Sequence, residues 1–460
     1  MEKRQTKLAK IVLPCSNVTH QKRNNFPVDR LSELPEGILE SILSLLTLKE
    51  IQRTSILSRR WRYLWTFVAR NLVFDYQRLL PLQNNILDVN FRAESGLVNI
   101  LSFERSRFVS WVNHVLELHQ GDTIDEFRVL FDMDGTFTLE IDNWLLFSLK
   151  KCVKKLSLYF KSIWRHHSNS YTLTSQLLHG YSLDSLTDLS LFFVEVSGEV
   201  LDYVLSNCPS IERLRVGCSG SLLNLKTSSP LPKLKHLEIL NCNSLNHIQI
   251  SAINLISFNY SGLRTTKILL GDIPNFVNLS INYRYIRYLV KNDCTISRYL
   301  SQLETLGLTF LYQIPYRLPK LLELRNLKQL KLDLCPAIED NVCICTPLLK
   351  AFPVLNRIVL KIFPPHGAME GELKLKRNKY PHRCLKEVEL IGFVGCILDM
   401  RLALYLINKA VSLEKMIIDT QSPFEEKRLH DSIDPEKLAA ITRAKQLETR
   451  LAPGVKLVIL

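Results

Sequence analysis

A six-residue phrase, apolar-x-x-apolar-x-apolar, recurs along most of the chain. It occurs twelve times, at steps of 21 to 33 residues. The last two apolar positions of the phrase alternate with polar ones, so their side chains point to one side of a short strand. A single strand cannot bury that side, but strands stacked side by side form one parallel sheet over a continuous core. The phrases begin at Ile124, Val153, Leu186, Ile211, Leu234, Leu255, Phe276, Leu303, Leu327, Leu355, Leu385 and Leu413.

This period and phrase are typical of leucine-rich repeats, so we predict a solenoid with helical or irregular returns between its strands. Residues 198–209 form one helical return, which Asn207-Cys208-Pro209 should end before the next strand. Cys242 and Cys335 follow their phrases where such repeats prefer a small side chain in a tight turn. We therefore interpret both cysteines as structural.

The positions between the apolar residues of each phrase are polar and variable. In a solenoid they face the exposed, concave side of the sheet, a surface suited to recognition. We expect such side chains to point outward, for example Lys235, His236 and Glu238 in one phrase, and Lys328, Gln329 and Lys331 in another.

The hydrophobic pattern before residue 70 has a helical period instead. Pro35 suits the first turn of a helix, and Thr47-x-x-Glu50 is a capping box that begins a second helix. Ser58 is a candidate cap for a third helix. So small a unit can hardly bury its own apolar surface, and its first helix is apolar on more than one face. That helix therefore packs on the rest of the chain or docks into a partner's groove.

The same segment resembles the F-box of plant proteins. The resemblance is carried by Asp29-Arg30-Leu31-Ser32-Glu33-Leu34-Pro35 at one end and by Leu57-Ser58-Arg59-Arg60-Trp61-Arg62-Tyr63-Leu64-Trp65 at the other. It implies binding to an SKP-type adaptor and, through it, to a cullin. The residues that the resemblance assigns to this interface and its helical cluster are Leu34, Pro35, Ile38, Leu39, Ile42, Leu43, Leu57, Trp61, Leu64 and Trp65.

The last part of the chain resembles the FBD module of plant F-box proteins. The resemblance covers 384–419 and a tail that reads as an amphipathic helix followed by a strand. We interpret this part as a continuation of the repeat with a final unit that closes the open end of the core.

One motif points to a different function. Asp132-Met133-Asp134-Gly135-Thr136 follows an apolar strand and resembles the nucleophile motif of haloacid-dehalogenase-type phosphatases. There Asp132 would be the nucleophile, and Asp134 the general acid and base. Against this hypothesis, the motif comes late in the chain, and Gly271-Asp272 lacks the second aspartate of that family's metal loop. The alternative is a strand that ends in an Asp/Gly turn.

Composition adds few constraints. The net charge of +14 allows a nucleic-acid-binding protein as a second alternative, but no helix carries a continuous basic stripe. The eleven cysteines include no C-x-x-C pair, which argues against a metal framework. No run is long and apolar enough for a membrane span. His166 and His167 are adjacent, so they would point apart on a strand.

We therefore expect an α/β protein in four parts: a basic arm at 1–28, an F-box at 29–75, leucine-rich repeats at 120–380 and an FBD-like unit at 381–460. The resemblance implies a substrate-recognition adaptor of an SCF-type ubiquitin ligase, located in the cytoplasm, the nucleus or both. The sequence does not identify its target protein. We expect no enzyme activity, no metal and no cofactor.

Overall fold

The computed structural model describes residues 33–57, 59–75, 94–160, 169–263, 266–282, 285, 295–310, 324–334, 341–363, 381–421 and 435–460. The chain divides into two compact units, Met1–Trp65 and Thr66–Leu460.

Three short helices follow one another in the predicted helical segment: α1 (Glu36–Ser44), α2 (Leu48–Thr54) and α3 (Arg59–Val68). Pro35 precedes the first helix, as expected from its fixed φ and missing N–H. The predicted capping box is confirmed, because the backbone N–H of Thr47 donates to Glu50 Oε2 at 2.8 Å and the backbone N–H of Glu50 donates to Thr47 Oγ1 at 3.4 Å. Ser58, the candidate cap of the third helix, lies outside the described residues.

A 14-stranded parallel sheet runs through the second unit, and it confirms the predicted leucine-rich-repeat architecture. Its strands are β1 (Asn71–Asp75), β2 (Glu126–Leu130), β3 (Lys155–Tyr159), β4 (Asp188–Phe192), β5 (Arg213–Gly217), β7 (His236–Leu240), β9 (Ser257–Ser261), β11 (Asn278–Asn282), β12 (Thr305–Phe310), β13 (Gln329–Leu334), β14 (Arg357–Ile362), β15 (Glu387–Ile391), β16 (Lys415–Asp419) and β17 (Lys456–Ile459).

Each of the twelve repeated phrases contributes one strand, and every one of these strands begins at the third residue of its phrase. The fourth and sixth positions of the phrase point inward. In β7, for example, Leu237 and Ile239 are fully buried, whereas His236, Glu238 and Leu240 are partly exposed. The alternation in sequence thus becomes a buried face and an open face of the same sheet.

Helices fill many of the returns between strands. The predicted helix at 198–209 is confirmed as Gly198–Asn207, which ends directly before Cys208-Pro209. The α-helices in the described parts of the second unit include α4 (Glu94–Leu118), α5 (Thr138–Lys150), α6 (Ser175–Leu178), α7 (Gly198–Asn207), and three later helices at Asn341–Ala351, Ile397–Lys409 and Pro435–Lys445. Short 3-10 helices lie at Gly135–Phe137, Thr295–Gln302 and Gln446–Arg450.

A second, smaller sheet replaces helices in the middle returns. It consists of β6 (Asn224–Lys226), β8 (His247–Ile250) and β10 (Lys267–Leu270), all parallel. Its buried side chains include Leu225, Ile248 and Ile268. The sequence analysis predicted only helical or irregular returns and missed this sheet.

Tight turns follow the strands in three consecutive repeats. Phe193, Cys218 and Asn241 occupy the same repeat position, and all three have φ between 55° and 57°. The next residue in the third of these turns, Cys242, is buried, and its thiol donates to the carbonyl of Leu240 at 3.6 Å. Burial raises the pKa of Cys242 to about 11, so its thiol is protonated and unreactive at neutral pH. Cys335 lies outside the described residues.

The C-terminal part continues the sheet, as predicted. The sheet extends from β14 through β15 and β16 to β17, with each strand parallel to the one before it. A helix and a 3-10 turn lead into β17. The entry to β15 is fixed by buried His382, which accepts the backbone N–H of Leu385 at Nδ1 (3.1 Å) and donates from Nε2 to Phe352 O (2.9 Å). The ring therefore joins two neighbouring repeats.

Asp399 gives a test of this C-terminal packing. Its buried carboxylate accepts the backbone N–H groups of Val394 and Gly395, both at 3.0 Å, and burial raises its pKa. Because the raised pKa favours the protonated folded protein, the contribution of Asp399 to stability falls as the pH rises from its unfolded pKa through its folded pKa. Asp399→Asn keeps an acceptor and removes the charge. We therefore expect the urea midpoint of the variant, relative to that of the wild type, to increase as the pH rises through this interval.

The measurement is a pair of urea titrations at several pH values. Two midpoint curves that stay parallel across the interval would contradict the prediction.

Candidate functional site

One side of the first helix is an exposed apolar stripe. Ile38, Ile42 and Leu45 follow one another at spacings of four and three residues, so they lie along a single helix face. Leu34, four residues before Ile38, lies just ahead of the helix. Ile38 is 48% exposed and Leu45 is 85% exposed, while Leu34 and Ile42 are partly exposed. Pro35, at the start of the helix, is exposed beside this stripe. The two apolar faces inferred from sequence are therefore present.

The other face of the first helix is buried. The predicted adaptor-binding residues divide between the two faces, and this division could not be read from the sequence. Leu34, Pro35, Ile38, Ile42 and Leu57 are accessible to a partner. The buried members of the set are Leu39, Leu43, Trp61, Leu64 and Trp65, each at most 7% exposed. Their assignment to the adaptor interface stays a prediction, and in this structure they have the burial expected of core residues.

Sequence reasoning missed two further accessible side chains. Leu45 and Ile56 are each 85% exposed, although both are large and apolar. The helical spacing of Leu45 from Ile38 and Ile42 was the available signal. For Ile56, which lies in the turn after α2, the sequence carried no such periodicity.

The open face of the long sheet is the second candidate surface. His236, Glu238, Gln329 and Lys331 lie on this face, as expected. Lys235 and Lys328 are also exposed, but each lies one residue before its strand and binds the acidic residue at the same position of the preceding repeat. Lys235 Nζ lies 2.9 Å from Glu212, and Lys328 Nζ lies 2.6 Å from Glu304.

Acidic and basic side chains nearly balance on this face. Several form pairs across adjacent strands, such as Arg213 with Asp188 at 2.6 Å and Arg357 with Glu389 at 2.6 Å. The basic members are Arg128, Lys155, Arg213, Arg215, Lys331, Arg357, Lys361, Lys415 and Lys456, and the acidic members are Asp75, Glu126, Asp188, Glu238, Asp333, Glu387, Glu389 and Asp419. The net positive charge of the chain is therefore not concentrated here, so the face lacks the electrostatic character of a nucleic-acid site.

The aspartate motif is held by an arginine. Arg105 of α4 donates from Nη2 to Asp132 Oδ1 at 2.6 Å and from Nε to the Asp132 carbonyl at 2.8 Å, and it also binds the Asp134 carboxylate. Asp134 Oδ1 accepts the backbone N–H of Thr136 at 2.9 Å and begins a 3-10 turn. Both carboxylates thus bind the same guanidinium, and Asp132 is only 4% exposed.

This arrangement matches the structural interpretation of the motif rather than the phosphatase hypothesis. A nucleophilic carboxylate must reach its substrate, whereas Asp132 is buried against Arg105. Among the described residues, no group of three His, Cys, Asp or Glu side chains is placed to hold a metal ion. His166 and His167 lie outside those residues.

Comparison with known proteins agrees with both parts of the fold. Residues 31–71 match the model of the F-box domain. Residues 179–452, more than half of the chain, match a family model described as the At1g61320/AtMIF1 LRR domain. The chain belongs to the F-box/LRR-repeat proteins.

Related F-box/LRR-repeat proteins occur in Arabidopsis thaliana. F-box/LRR-repeat protein At3g26922 is 29% identical over 56% of this chain and 83% of its own length. F-box/FBD/LRR-repeat protein At1g13570 is 26% identical over 85% of this chain and 91% of its own length. Putative FBD-associated F-box protein At1g61330 is 25% identical over 94% and 98% of the two chains. These relatives confirm the resemblance to plant F-box/FBD/LRR-repeat proteins. No helix in the described parts of this F-box/LRR-repeat protein has the length and hydrophobicity to cross a membrane.

The structural role of Arg105 in this F-box/LRR-repeat protein can be tested by substitution. Arg105→Ala leaves the buried Asp132 carboxylate without its cation. We expect a loss of about 3 kcal/mol in the free energy of unfolding, since breaking a buried ion pair leaves an uncompensated charge.

Denaturant unfolding measures the effect, with Arg107→Ala in the same helix as control. Arg107 is mostly exposed, pairs with Glu104 at 3.1 Å and lies over the Phe103 ring, so its removal should cost below about 1 kcal/mol. Equal losses in the two variants would show that the Arg105 cluster does not stabilise the fold.

Proposed function

We propose that this protein is a substrate-recognition adaptor of an SCF-type ubiquitin ligase. The observation that carries the proposal is the exposed apolar stripe Leu34–Ile38–Ile42–Leu45 within the region that matches the F-box. An F-box implies binding to an SKP-type adaptor, and an amphipathic helix face of this kind suits a hydrophobic groove. Through the SKP-type adaptor the chain reaches a cullin.

The long sheet is the proposed site for the target protein. Its open face is broad, mostly polar and varied from strand to strand, while the core behind it is uniformly apolar. Variable polar side chains on a rigid sheet can be selected for one partner without disturbing the fold. The balanced charge of the face favours a protein over a nucleic acid as this partner.

Ubiquitin transfer is assigned to the partner enzymes. The role of this chain is to hold the target close to them, which raises the effective concentration of the target at the ligase. The motif that most resembles a catalytic site, Asp132 to Thr136, is engaged by Arg105 and has no place in this function. We place the complex in the cytoplasm, the nucleus or both, where SKP-type adaptors and cullins are expected.

The adaptor interface is tested by truncating the accessible stripe. Ile38→Ala with Ile42→Ala removes apolar contacts without opening the buried side of the helix. We expect the affinity for an SKP-type adaptor to fall about 30-fold, the equivalent of roughly 2 kcal/mol for hot-spot residues. Leu34→Ala with Pro35→Ala should act in the same direction.

Binding is measured by calorimetry or interferometry with the purified SKP-type adaptor. The control is Leu139→Ala, which truncates an equally apolar side chain that is 70% exposed on α5. The proposal fails if the wild-type chain does not bind the adaptor, or if the stripe variants bind as tightly as Leu139→Ala.

A further inference from the structure

Three consecutive strands of the long sheet carry no charged side chain on the open face. They are β9, β11 and β12, which pair directly and in register. We call the nine positions of their open-face register the uncharged belt: Ser257, Asn259, Ser261, Asn278, Ser280, Asn282, Thr305, Gly307 and Thr309. Seven of them are partly exposed, whereas Asn282 and Gly307 are buried. All nine residues are small and polar or lack a side chain.

The strands on both sides of the uncharged belt carry charged side chains on the open face. β7 presents Glu238, and β13 presents Lys331 and Asp333. His236, the other titratable residue on the open face of β7, forms a hydrogen bond with Ser257, with 2.7 Å between Nδ1 and Oγ. Burial, followed by the charges of Arg213 and Lys235, lowers the pKa of His236, so it is neutral at pH 7. The uncharged character is thus confined to the middle of the sheet and has defined borders.

The centre of the uncharged belt offers unused hydrogen-bonding groups. Within the described parts of the chain, no partner lies within hydrogen-bonding distance of the side chains of Asn259, Asn278, Ser280 or Thr305. The outer members differ, because Ser261 donates to Asn241 at 3.1 Å and Thr309 donates to Asp333 at 3.2 Å. A carboxamide carries both a donor and an acceptor, the same pair that a peptide group offers.

The spacing of the two carboxamides also fits a peptide. Asn278 is opposite Ser257 in the register, and Asn259 is opposite Ser280, so the two asparagines are diagonal neighbours on adjacent strands. Diagonal neighbours in a sheet lie roughly 7–8 Å apart. Alternate residues of an extended chain repeat at about 6.6 Å. One extended segment can therefore reach both carboxamides with alternate peptide groups.

Charged side chains would be excluded from this surface. A carboxylate or ammonium group that loses water against Ser, Asn and Thr finds no counter-ion there, and burying an unpaired charge is costly. Uncharged polar or small side chains meet no such penalty. Gly307 makes room for Ser280 on the neighbouring strand, since a Cβ at position 307 would clash with the Ser280 side chain.

We propose that the uncharged belt binds an extended, uncharged segment of the target protein. This inference rests on the proposed target-binding role of the sheet and specifies the chemistry of the target. The strands on either side, with their charged side chains, would then contact the flanks of the same segment.

The experiment uses the full-length chain and a phage-displayed library of random dodecapeptides, and adaptor binding is measured separately. Wild type is expected to select peptides with a central stretch poor in Asp, Glu, Lys and Arg relative to the input library. Asn278→Asp and Asn259→Asp are nearly isosteric and place a carboxylate in the belt. Each should weaken binding of a selected peptide by about tenfold or more and shift selection towards Lys and Arg.

The control is Asn143→Asp, which adds the same charge at an exposed position of α5 and should select as wild type does. Circular dichroism and the urea midpoint, measured on every variant, show whether the belt substitutions leave the fold intact. The inference is overturned if wild type selects charged peptides or none, or if the belt variants select the wild-type pool. It also fails if the belt variants instead abolish self-association of the chain, because the belt would then be a dimer interface.

Failure of adaptor binding would remove the proposed ligase role, whereas peptide selection would still decide whether the belt recognises an uncharged segment. The two results are therefore distinguishable.

Discussion

The parallel backbone ladder of the long sheet is the constraint on which the rest of the second unit depends. At the start of most strands, two successive N–H groups share one carbonyl of the preceding repeat. Lys235 and His236, for example, both donate to Glu212 O, at 2.9 and 3.0 Å. Lys328 and Gln329 do the same with Glu304 O, at 2.8 and 2.9 Å. Because every strand is fixed in this register, equivalent side chains of all repeats form continuous rows.

The inward rows stabilise the fold, whereas the outward rows are available for recognition. The inward rows must be apolar in every repeat, since one polar residue there would be buried without a partner. The outward rows have no such requirement, and their side chains range from Arg215 to Ser280 and Ile417. A third row, one residue before the strands, uses lysine and acidic residues that pair between repeats, such as Lys386 with Glu414 at 2.8 Å. Exposed pairs of this kind each add little stability, and their charges are already engaged.

This third row explains why part of the recognition surface could not be predicted. In the sequence, Lys235 and His236 look equally variable and equally polar. Only the register shows that Lys235 meets Glu212, while His236 lies on the open face. The strands themselves were predictable because the phrase is local and repeats twelve times. The small sheet of β6, β8 and β10 was not, since its strands of three or four residues have too little alternation to reveal a period.

The same limit applies to the first helix and to the aspartate motif. Periodicity identified two apolar faces on α1, but whether Ile38 or Leu39 is accessible depends on what covers each face, which is a property of the tertiary structure. The five residues from Asp132 to Thr136 match a catalytic pattern in sequence, yet Arg105, 27 residues away, binds both carboxylates. A local motif specifies which atoms are present, and the neighbour in space decides whether those atoms can react.

The two proposed interfaces differ in the kind of partner that each one suits. The stripe on α1 is short, apolar and continuous, which suits a partner that is the same for every member of a family. The uncharged belt is instead defined by what its positions lack, because its partly exposed Ser, Asn and Thr residues could each be exchanged for a charged residue without touching the core behind them. A sheet that keeps three neighbouring strands free of charge, between strands that are not, therefore carries information about its target that the buried rows cannot carry.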